Sequence, residues 1–503
     1  MRTKDTLKNS VISLVSFGFI SILLFAIRKL FVITFSTELL GYEGLFSNVL
    51  SLLSLADLGI QDIILYRLFP AYAKHDENEV GRIMNLYSIL YKWVGIVILI
   101  LGVCLIPFLK LIIKDNSYNW NYVYIIYIIQ LLTNLSTYFL AYKRIIYSVS
   151  QRAYECVKVD TLVNFSFSLF KVVAILILKN YYLYLLCGLG TNLCQNILIS
   201  LKSKRDFAFL NNKYKTSLDE IKALGIIRDV KNNIVQKVSL VIYGGTDYIV
   251  ISYFLGVSQV GLVTNYTMVV ACVNAIIEKL LTPFQMSIGN YIYTEENGNE
   301  LFRMFDYISF IIASIVACCY FGLFQPFIKL WLGPQYVLGL LYLLFLVCNE
   351  YIHWNQQFLT YFRSSFGKYE LDKWWIFSAA IINLILSIAL APIMGVAGVM
   401  LGSAIGHMGF WIGRTYVVYK EYVTESIGLY IIRQIIRVVL LTIELSICYV
   451  ITVKIKLSFI GFILQAIVCV MVPLITGTVA YARSIEMKKV AQYSKKVLTF
   501  IKR

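Results

Sequence analysis

The sequence predicts an all-α polytopic membrane protein: about fourteen transmembrane helices, arranged as two parallel six-helix repeats that form two lobes, plus two C-terminal helices. Three observations carry this. Hydrophobic residues make up 59% of the 503-residue chain and charged residues only 15%, with a mean hydropathy of +0.74, whereas a soluble domain carries about 25% charged residues. Apolar stretches long enough to cross roughly 30 Å of hydrocarbon recur from end to end. Finally, short motifs come twice in the same order. Leu40-Gly41, Gly44-Leu45 and Asn48 return, with two residues inserted, as Leu255-Gly256, Gly261-Leu262 and Asn265. Phe139-Leu140-x-Tyr142-x-Arg144 returns as Phe358-Leu359-x-Tyr361-x-Arg363, and Tyr154-Glu155 as Tyr369-Glu370. Three matches at a similar displacement argue for duplication.

Candidate spans fall near 11–35, 44–68, 90–113, 121–142, 157–178, 181–201, 233–255, 259–281, 304–324, 336–362, 374–393, 395–418, 429–453 and 457–481. The first is retained as a helix rather than read as a secretory signal, because it outruns a signal core, contains Arg28 and Lys29, and lacks a small-x-small cleavage site. Helices one to six form an N-terminal lobe over 1–201, and helices seven to twelve a C-terminal lobe over 233–420. Between them, 202–232 mixes Lys, Asp and Glu with apolar residues and reads as a cytoplasmic amphipathic linker on the membrane surface. Helices thirteen and fourteen occupy 421–482 outside the repeat, and 483–503 is a basic tail. Six helices per repeat is even, so both copies enter from the same side, with a cavity between them.

A net charge of +17 raises the question of nucleic acid, but the cations sit in alternate loops. They gather at the N-terminus, at Lys143, Arg144 and Arg152, along 202–231, at Arg363, Lys368 and Lys373, and in the tail. The opposite loops are short and hold few. This distribution orients a membrane protein with both termini cytoplasmic, in contact with anionic lipid, and argues against nucleic acid. The ten cysteines show no metal spacing and most lie in apolar segments, so neither a disulfide framework nor a metal is expected. Gly398, Gly402 and Gly406, then Gly409 and Gly413, give helix twelve a flat packing face. Tyr118, Trp120, Tyr122 and Tyr124, and Trp374-Trp375, fit interfacial belts and are alternatively surfaces for stacking on sugars.

No Walker loop or HExxH is present, and there are only three histidines, so chemistry on a substrate is not expected. Polar groups inside helices are expensive and point to a pathway. Helix one carries Ser10, Ser21 and Arg28 on one side with Lys29 beside it; helix two carries Ser47, Ser51, Ser54 and Asp57. Helix five gives Asp160, Asn164, Ser168 and Lys171, helix seven Gln236, Ser239, Tyr243 and Asp247, and helix ten Glu350, His353 and Gln357. At helical spacing these stripes face away from lipid. Arg28, Lys29 and Lys171 are candidates for an anionic group such as pyrophosphate, guanidinium matching phosphate oxygens bidentately; snorkelling to the surface is the structural alternative. Ser47, Ser51, Ser54, Asp57, Asn164, Ser168, Gln236 and Tyr243 are candidates for the cavity wall. Asp247 is a candidate gating charge, with a static ion pair as the alternative. Glu350 and His353 are candidates for coupling to a proton or cation, an internal hydrogen bond being the alternative.

The run Gly44-Leu45-Phe46-Ser47-Asn48 through Leu52-Leu53-Ser54-Leu55-Ala56-Asp57-Leu58-Gly59 resembles the second helix of polysaccharide repeat-unit flippases encoded with capsule, exopolysaccharide or O-antigen-type genes. These belong to the multidrug/oligosaccharidyl-lipid/polysaccharide (MOP) exporter superfamily. Thr246-Asp247 before Leu255-Gly256, the stretch Pro283 to Ser287, and Phe327-Ile328-Lys329-Leu330-Trp331-Leu332-Gly333 are similar to that family too. The resemblance implies a MATE-like two-lobed transporter with two extra helices, alternating access, and a polyprenyl-pyrophosphate-linked oligosaccharide as cargo. It implies no cofactor beyond coupling to H+, Na+ or membrane potential, and a glycan polymerase and glycosyltransferases as partners. Arg28 stands where the related lipid II flippases have a functional arginine. The acidic residue that follows it there is Lys29 here, and their basic residues in helices two and eight have no match, which counts against lipid II itself. Alternative readings are a drug or cation exporter of the same superfamily and, from another class, a membrane glycosyltransferase or glycan polymerase, which the short outer loops disfavour.

Overall fold

The computed structural model describes residues 2–57, 59–114, 117–212, 214, 226–294, 298–367 and 370–501. Among these the regular structure is entirely helical, and twelve helices are each long and apolar enough to cross a membrane. The other two expected spans are present as interrupted helices. Segment 44–68 divides between α2 (Thr37–Leu53) and α3 (Ile60–Ala73), across a short tight turn at Ser54–Asp57 and the left-handed Gly59 (φ 77°). Segment 336–362 divides between Leu340–Asn355 and Gln357–Phe366, where the run Asn355-Gln356-Gln357 supplies no apolar face to continue on. The linker expected over 202–232 lies outside the described residues at 213 and 215–225; of the rest, 202–206 continue a helix begun at Tyr181 and 226–232 begin the next.

By packing, the chain divides into two compact units, Met1–Lys279 and Leu280–Arg503. The first contains α1 (Arg2–Thr34), α2, α3, α4 (Glu77–Leu105), α5 (Leu109–Ile112), α6 (Trp120–Leu140), α7 (Ile145–Val149), α8 (Tyr154–Leu176), α9 (Tyr181–Asp206), α10 (Ile226–Gly245), α11 (Asp247–Leu255) and most of α12 (Val257–Thr294). The duplicated Leu-Gly motifs meet inside it. A Cβ on Gly41 would lie 2.0 Å from the Val257 carbonyl oxygen, one on Gly261 2.1 Å from that of Thr37, and one on Gly44 2.4 Å from the Thr264 methyl. Only hydrogen side chains let α2 and α12 cross this closely. On a second face of α2, Gly245 leaves room for Leu52, and the Asn48 amide donates to the Gly244 carbonyl (3.3 Å). Arg144, from the second duplicated motif, grips Asp160 of α8 through two guanidinium nitrogens at 2.8 Å each and donates a third bond to Asn196 of α9 (3.0 Å). Asp160, grouped with a pathway stripe from sequence, is therefore committed to a bidentate ion pair.

The second unit contains α13 (Gly298–Trp331), α14 (Leu340–Asn355), α15 (Gln357–Phe366), α16 (Lys373–Met394), α17 (Val396–Glu421), α18 (Ile427–Thr452), α19 (Phe459–Ala480) and α20 (Ile485–Ile501). The glycine face of α17 packs on α16: a Cβ at Gly402 would meet the Ser387 hydroxyl at 2.7 Å, and one at Gly409 the Ala379 methyl at 2.6 Å. Arg363, the duplicate of Arg144, again reaches a carboxylate, Asp372, at 2.6 Å with both side chains buried. The two helices beyond the repeat are bound to α13 by polar contacts. Arg437 of α18, with no exposed surface, donates to Asp306 (2.7 Å) and to the Tyr481 hydroxyl (3.1 Å); Asn355 donates to Gln434 (3.0 Å), whose amide nitrogen donates to Asp306 (3.4 Å). Cys318, Cys448 and Cys469 pack as one buried apolar cluster across α13, α18 and α19, and among the described residues no group of side chains is arranged to hold a metal. The basic tail forms α20, held to α13 by Lys489 and Glu300 at 2.9 Å.

In the α17–α18 turn, Glu425 is clamped by Arg433 (2.9 Å twice) and Arg303. Burial pushes its carboxyl up, but the arginine hydrogen bonds outweigh that and hold it below its ordinary value of 4.5. The stabilisation is complete above the ordinary value and disappears as the pH falls through the lowered one. Replacing Glu425 by Gln is therefore expected to flatten the acid side of a plot of thermal unfolding midpoint against pH. At the buried pair, Asp306→Asn leaves Arg437 without a counter-charge. It is expected to destabilise the detergent-solubilised protein by about 3–5 kcal/mol, with Asp306→Asn/Arg437→Gln recovering part of the loss in the same thermal assay.

Candidate functional site

In the first unit, one cavity of about 270 Å³ is walled by faces of four helices, α2, α6, α8 and α9. Residues spaced by three or four share a helix face, and this places Glu43 and Ser47 of α2, Gln130, Thr133, Asn134 and Thr137 of α6, and Tyr184, Gly188 and Asn192 of α9 on the wall. Lys171 of α8 completes it, its ammonium 5.3 Å from the centre of the Tyr184 ring. Asn192 donates to the Thr133 carbonyl (3.4 Å). Three buried polar atoms of the lining have no hydrogen-bond partner among the described residues, Glu43 Oε2, Gln130 Nε2 and Asn134 Oδ1, nor has one terminal nitrogen of Arg28 on α1. Buried polar groups are nearly always paired, so a concentration of orphans around a cavity marks a place where water or ligand completes the bonding. Arg28 is half-buried on α1, off the cavity lining, and acts electrostatically on Lys171, Tyr181 and Tyr184; Glu43 acts on the same three.

Of the residues singled out from sequence, Arg28, Ser47 and Lys171 gather here. Lys29 is exposed, one residue further round α1. Ser51 and Ser54 donate to carbonyls of their own chain, at Asn48 and Ser51. Asp57 lies in the turn after α2 and accepts from the Tyr91 hydroxyl (3.4 Å). Asn164 and Ser168 are half-buried on α8 but off the cavity wall, and Gln236 and Tyr243 lie along α10. Asp247 opens α11 and, with Arg28, acts on Tyr248, whose hydroxyl meets that of Thr267 at 2.6 Å.

Glu350 and His353 belong to the second unit, where a third group joins them. The Asn349 amide nitrogen donates to Glu350 Oε1 (3.1 Å), and Asn349 Oδ1 lies 2.7 Å from Nδ1 of His407 on α17. The rings of His407 and His353 are 5.3 Å apart. Sequence reasoning missed His407, Glu43, Gln130, Asn134, Tyr184 and Asn192. The stripe test that found Lys171 finds Gln130, Asn134 and Thr137 when it is applied to helix four, and Tyr184, Gly188 and Asn192 when applied to helix six. His407 lies within a glycine-rich packing face, which hides it from that test.

No family model and no curated protein matches the sequence. Solved structures do match. The chain is similar to the lipid II flippase MurJ in an inward closed conformation, with a TM-score of 0.67 at 14% identity over 94% of this chain and 99% of that one. It is similar to an inward-facing multidrug resistance MATE transporter of the MOP superfamily (TM-score 0.56, 14% identity, 79% and 94% covered). A third match is a MOP superfamily transporter from Pyrococcus furiosus whose binding pocket has reversed polarity (TM-score 0.54, 13% identity, 84% and 97% covered). The chain thus has the fold of the MOP superfamily transporters, and it is a multi-pass membrane protein.

If the cavity is wet, as its orphaned polar atoms require, a cysteine placed at Ser47 in a variant lacking the native cysteines reacts with a small hydrophilic thiol reagent. A cysteine at Ile22, on the exposed apolar side of α1, is expected to react at least about tenfold more slowly, because lipid keeps the thiolate from forming. Mass spectrometry of protein in liposomes reads both.

Proposed function

We propose that this protein is a flippase that carries a polyprenyl-pyrophosphate-linked oligosaccharide repeat unit from the cytoplasmic to the outer leaflet of a bacterial-type cytoplasmic membrane, by alternating access, for surface polysaccharide synthesis. The observation that carries the reading is the cavity in the first unit: Lys171 stands on a wall of amides and hydroxyls with orphaned hydrogen-bonding atoms, and a second cation, Arg28, acts electrostatically on Lys171 and Tyr184 from α1. A diphosphate ester needs cations, and a sugar needs paired donors and acceptors with an aromatic face such as Tyr184. A cavity for a cationic drug would instead be dominated by carboxylates, and among the described residues Glu43 is the only one on this wall. Lys29, exposed one residue further round α1, is the third cation offered to the pyrophosphate. The fold shared with a lipid II flippase supports cargo of the lipid-linked glycan class. The duplicated motifs and the positive-inside charge pattern support alternating access and cytoplasmic termini. H+, Na+ or the membrane potential drives the cycle, and a polymerase and glycosyltransferases supply and consume the cargo.

The test is transfer across proteoliposomes of a labelled polyprenyl-pyrophosphate oligosaccharide, beside lipid II and a cationic dye, with empty liposomes as control. Selective movement of the oligosaccharide lipid is expected. Arg28→Ala, at equal protein level, is expected to slow it by at least about tenfold, the cost of one or two charged hydrogen bonds. Movement of the dye alone overturns the reading in favour of drug export.

A further inference from the structure

The two helices beyond the repeat hide an ionisable group that neither the cavity nor the helix junctions use. The lipid-facing side of α18 is chiefly Ile, Val and Leu, but its inward side carries Gln434, Arg437, Glu444, Cys448 and Thr452. Gln434 and Arg437 are bound to Asn355 and Asp306, and the Thr452 hydroxyl and carbonyl to Cys448 and Gln465. Cys448 packs into the buried apolar cluster with Cys318 and Cys469. Glu444 remains. It has no exposed surface, and it lies roughly 12 Å from Thr452 at the C-terminal end of α18. Carboxyl groups this deep in a span are rare and mark function by default.

The groups around Glu444 supply no counter-charge. Arg437, two turns earlier on the same helix, is taken by Asp306 and the Tyr481 hydroxyl. From α13 the carboxyl is faced by Ser314 and Cys318, from α14 by the Tyr351 phenol, from α19 by Thr476, and on its own helix by the Cys448 thiol. Glu444 Oε2 and Ser314 Oγ are both buried without a hydrogen-bond partner among the described residues. A carboxylate isolated in such surroundings takes up a proton, because the charged form is far more costly to bury than the neutral acid. Thr476 shows where that proton goes. Its single hydrogen has the Glu444 Oε1 (2.6 Å), Val472 carbonyl (2.9 Å) and Pro473 carbonyl (3.4 Å) oxygens within reach. Thr442, Ser446, Thr452 and Thr478 on the same two helices each donate to the carbonyl four residues back, as hydroxyls on helices do. Thr476 doing the same leaves its oxygen as an acceptor, and the hydrogen in the 2.6 Å contact is then that of Glu444.

We propose that Glu444 is a proton-binding site of the helix pair beyond the repeat, a carboxylic acid that is protonated at neutral pH and joins α18 to α19 through its own hydrogen. The carboxylate takes one proton from water, Oε1–H donates to Thr476 Oγ1, and the Thr476 hydrogen goes to the Val472 carbonyl. The loaded site is neutral, since Asp306 and Arg437 cancel each other; the unloaded site carries one uncompensated negative charge. Proton loss obliges the Thr476 hydrogen to leave Val472 for Glu444, so the contact between α18 and α19 senses the charge. That loading drives transport rests on the flippase reading; proton binding itself does not.

The experiment is infrared spectroscopy of the full-length protein in liposomes at neutral pH, in the region where a protonated carboxyl absorbs and a carboxylate does not. Wild type is compared with Glu444→Gln, Thr476→Val and Thr476→Ser. Glutamine replaces a neutral acid by a neutral amide of the same shape, so Glu444→Gln is expected to keep the wild-type unfolding midpoint and to lose one carboxylic-acid band. Thr476→Val removes the acceptor and is expected to move that band to higher frequency, and Thr476→Ser to return it. An acid region unchanged in Glu444→Gln overturns the proposal, because the residue is then ionised in the wild type. A band that Thr476→Val leaves in place overturns it too, and this variant keeps Glu444, so it decides the matter even where the glutamine variant fails to fold. A wild-type protein that shows the band yet moves no glycolipid keeps the site and refutes only the flippase reading.

Discussion

Backbone-to-backbone contact between α2 and α12 is the constraint around which the first compact unit is arranged. Gly41, Gly44 and Gly261 have no side chain to hold the helices apart, and any Cβ there would overlap a carbonyl oxygen or a methyl carbon. Such a crossing brings α2 to the centre of the unit, with α10 against one face through Gly245 and α6 against another. From that position α2 can offer Glu43 and Ser47 to a cavity whose other walls come from α6, α8 and α9. The same segment is where the sequence repeats itself, which makes physical sense: a position that admits only glycine drifts least after duplication.

Charges in this protein fall into two kinds by their bonding. Arg144 with Asp160, Arg363 with Asp372, Arg437 with Asp306 and Glu425 with its two arginines each have a partner at hydrogen-bond distance. These fasten one helix to the next, and two of the arginines are the duplicated pair of a single motif. Around the cavity the pattern is opposite. Lys171 stands over an aromatic face and feels Glu43 only at longer range, and Glu43, Gln130 and Asn134 keep orphaned atoms. Burying unsatisfied polar atoms costs stability, and a membrane interior raises that cost. Unpartnered atoms occur at the helix junctions too, on Arg363, Asp372, Arg433 and Arg437, but those around the cavity border open space that a polar guest can enter.

Much of this was legible in the sequence. Hydropathy gave the fold class, because satisfying the backbone in hydrocarbon leaves helices as the only answer for such a composition. Lys171, Arg28 and Ser47 were visible as polar residues at helical spacing. The meaning of Asp160 was not: periodicity reports the face a residue lies on and not the neighbour it meets, and Arg144, sixteen residues earlier, claims it. Glu350 and His353 looked like a direct pair, but the amide of Asn349 and a ring from another helix stand in the arrangement instead. Contacts between helices far apart in sequence carry no periodic signal, and the site depends on them.

The two interrupted helices bear on how the chain enters its membrane. α2 has 17 residues and α14 has 16, and each is followed by a break rather than by further apolar helix. Neither spans on its own hydropathy, so neither is released sideways into lipid by the insertion machinery as an independent unit. Both must wait for neighbours already in place, α2 for the partners that cover Glu38 and Glu43, and α14 for α13 and α17. Membrane insertion of this protein is consequently coupled to its tertiary assembly, and the order of synthesis puts α2 in that waiting position long before the glycines of α12 emerge to receive it.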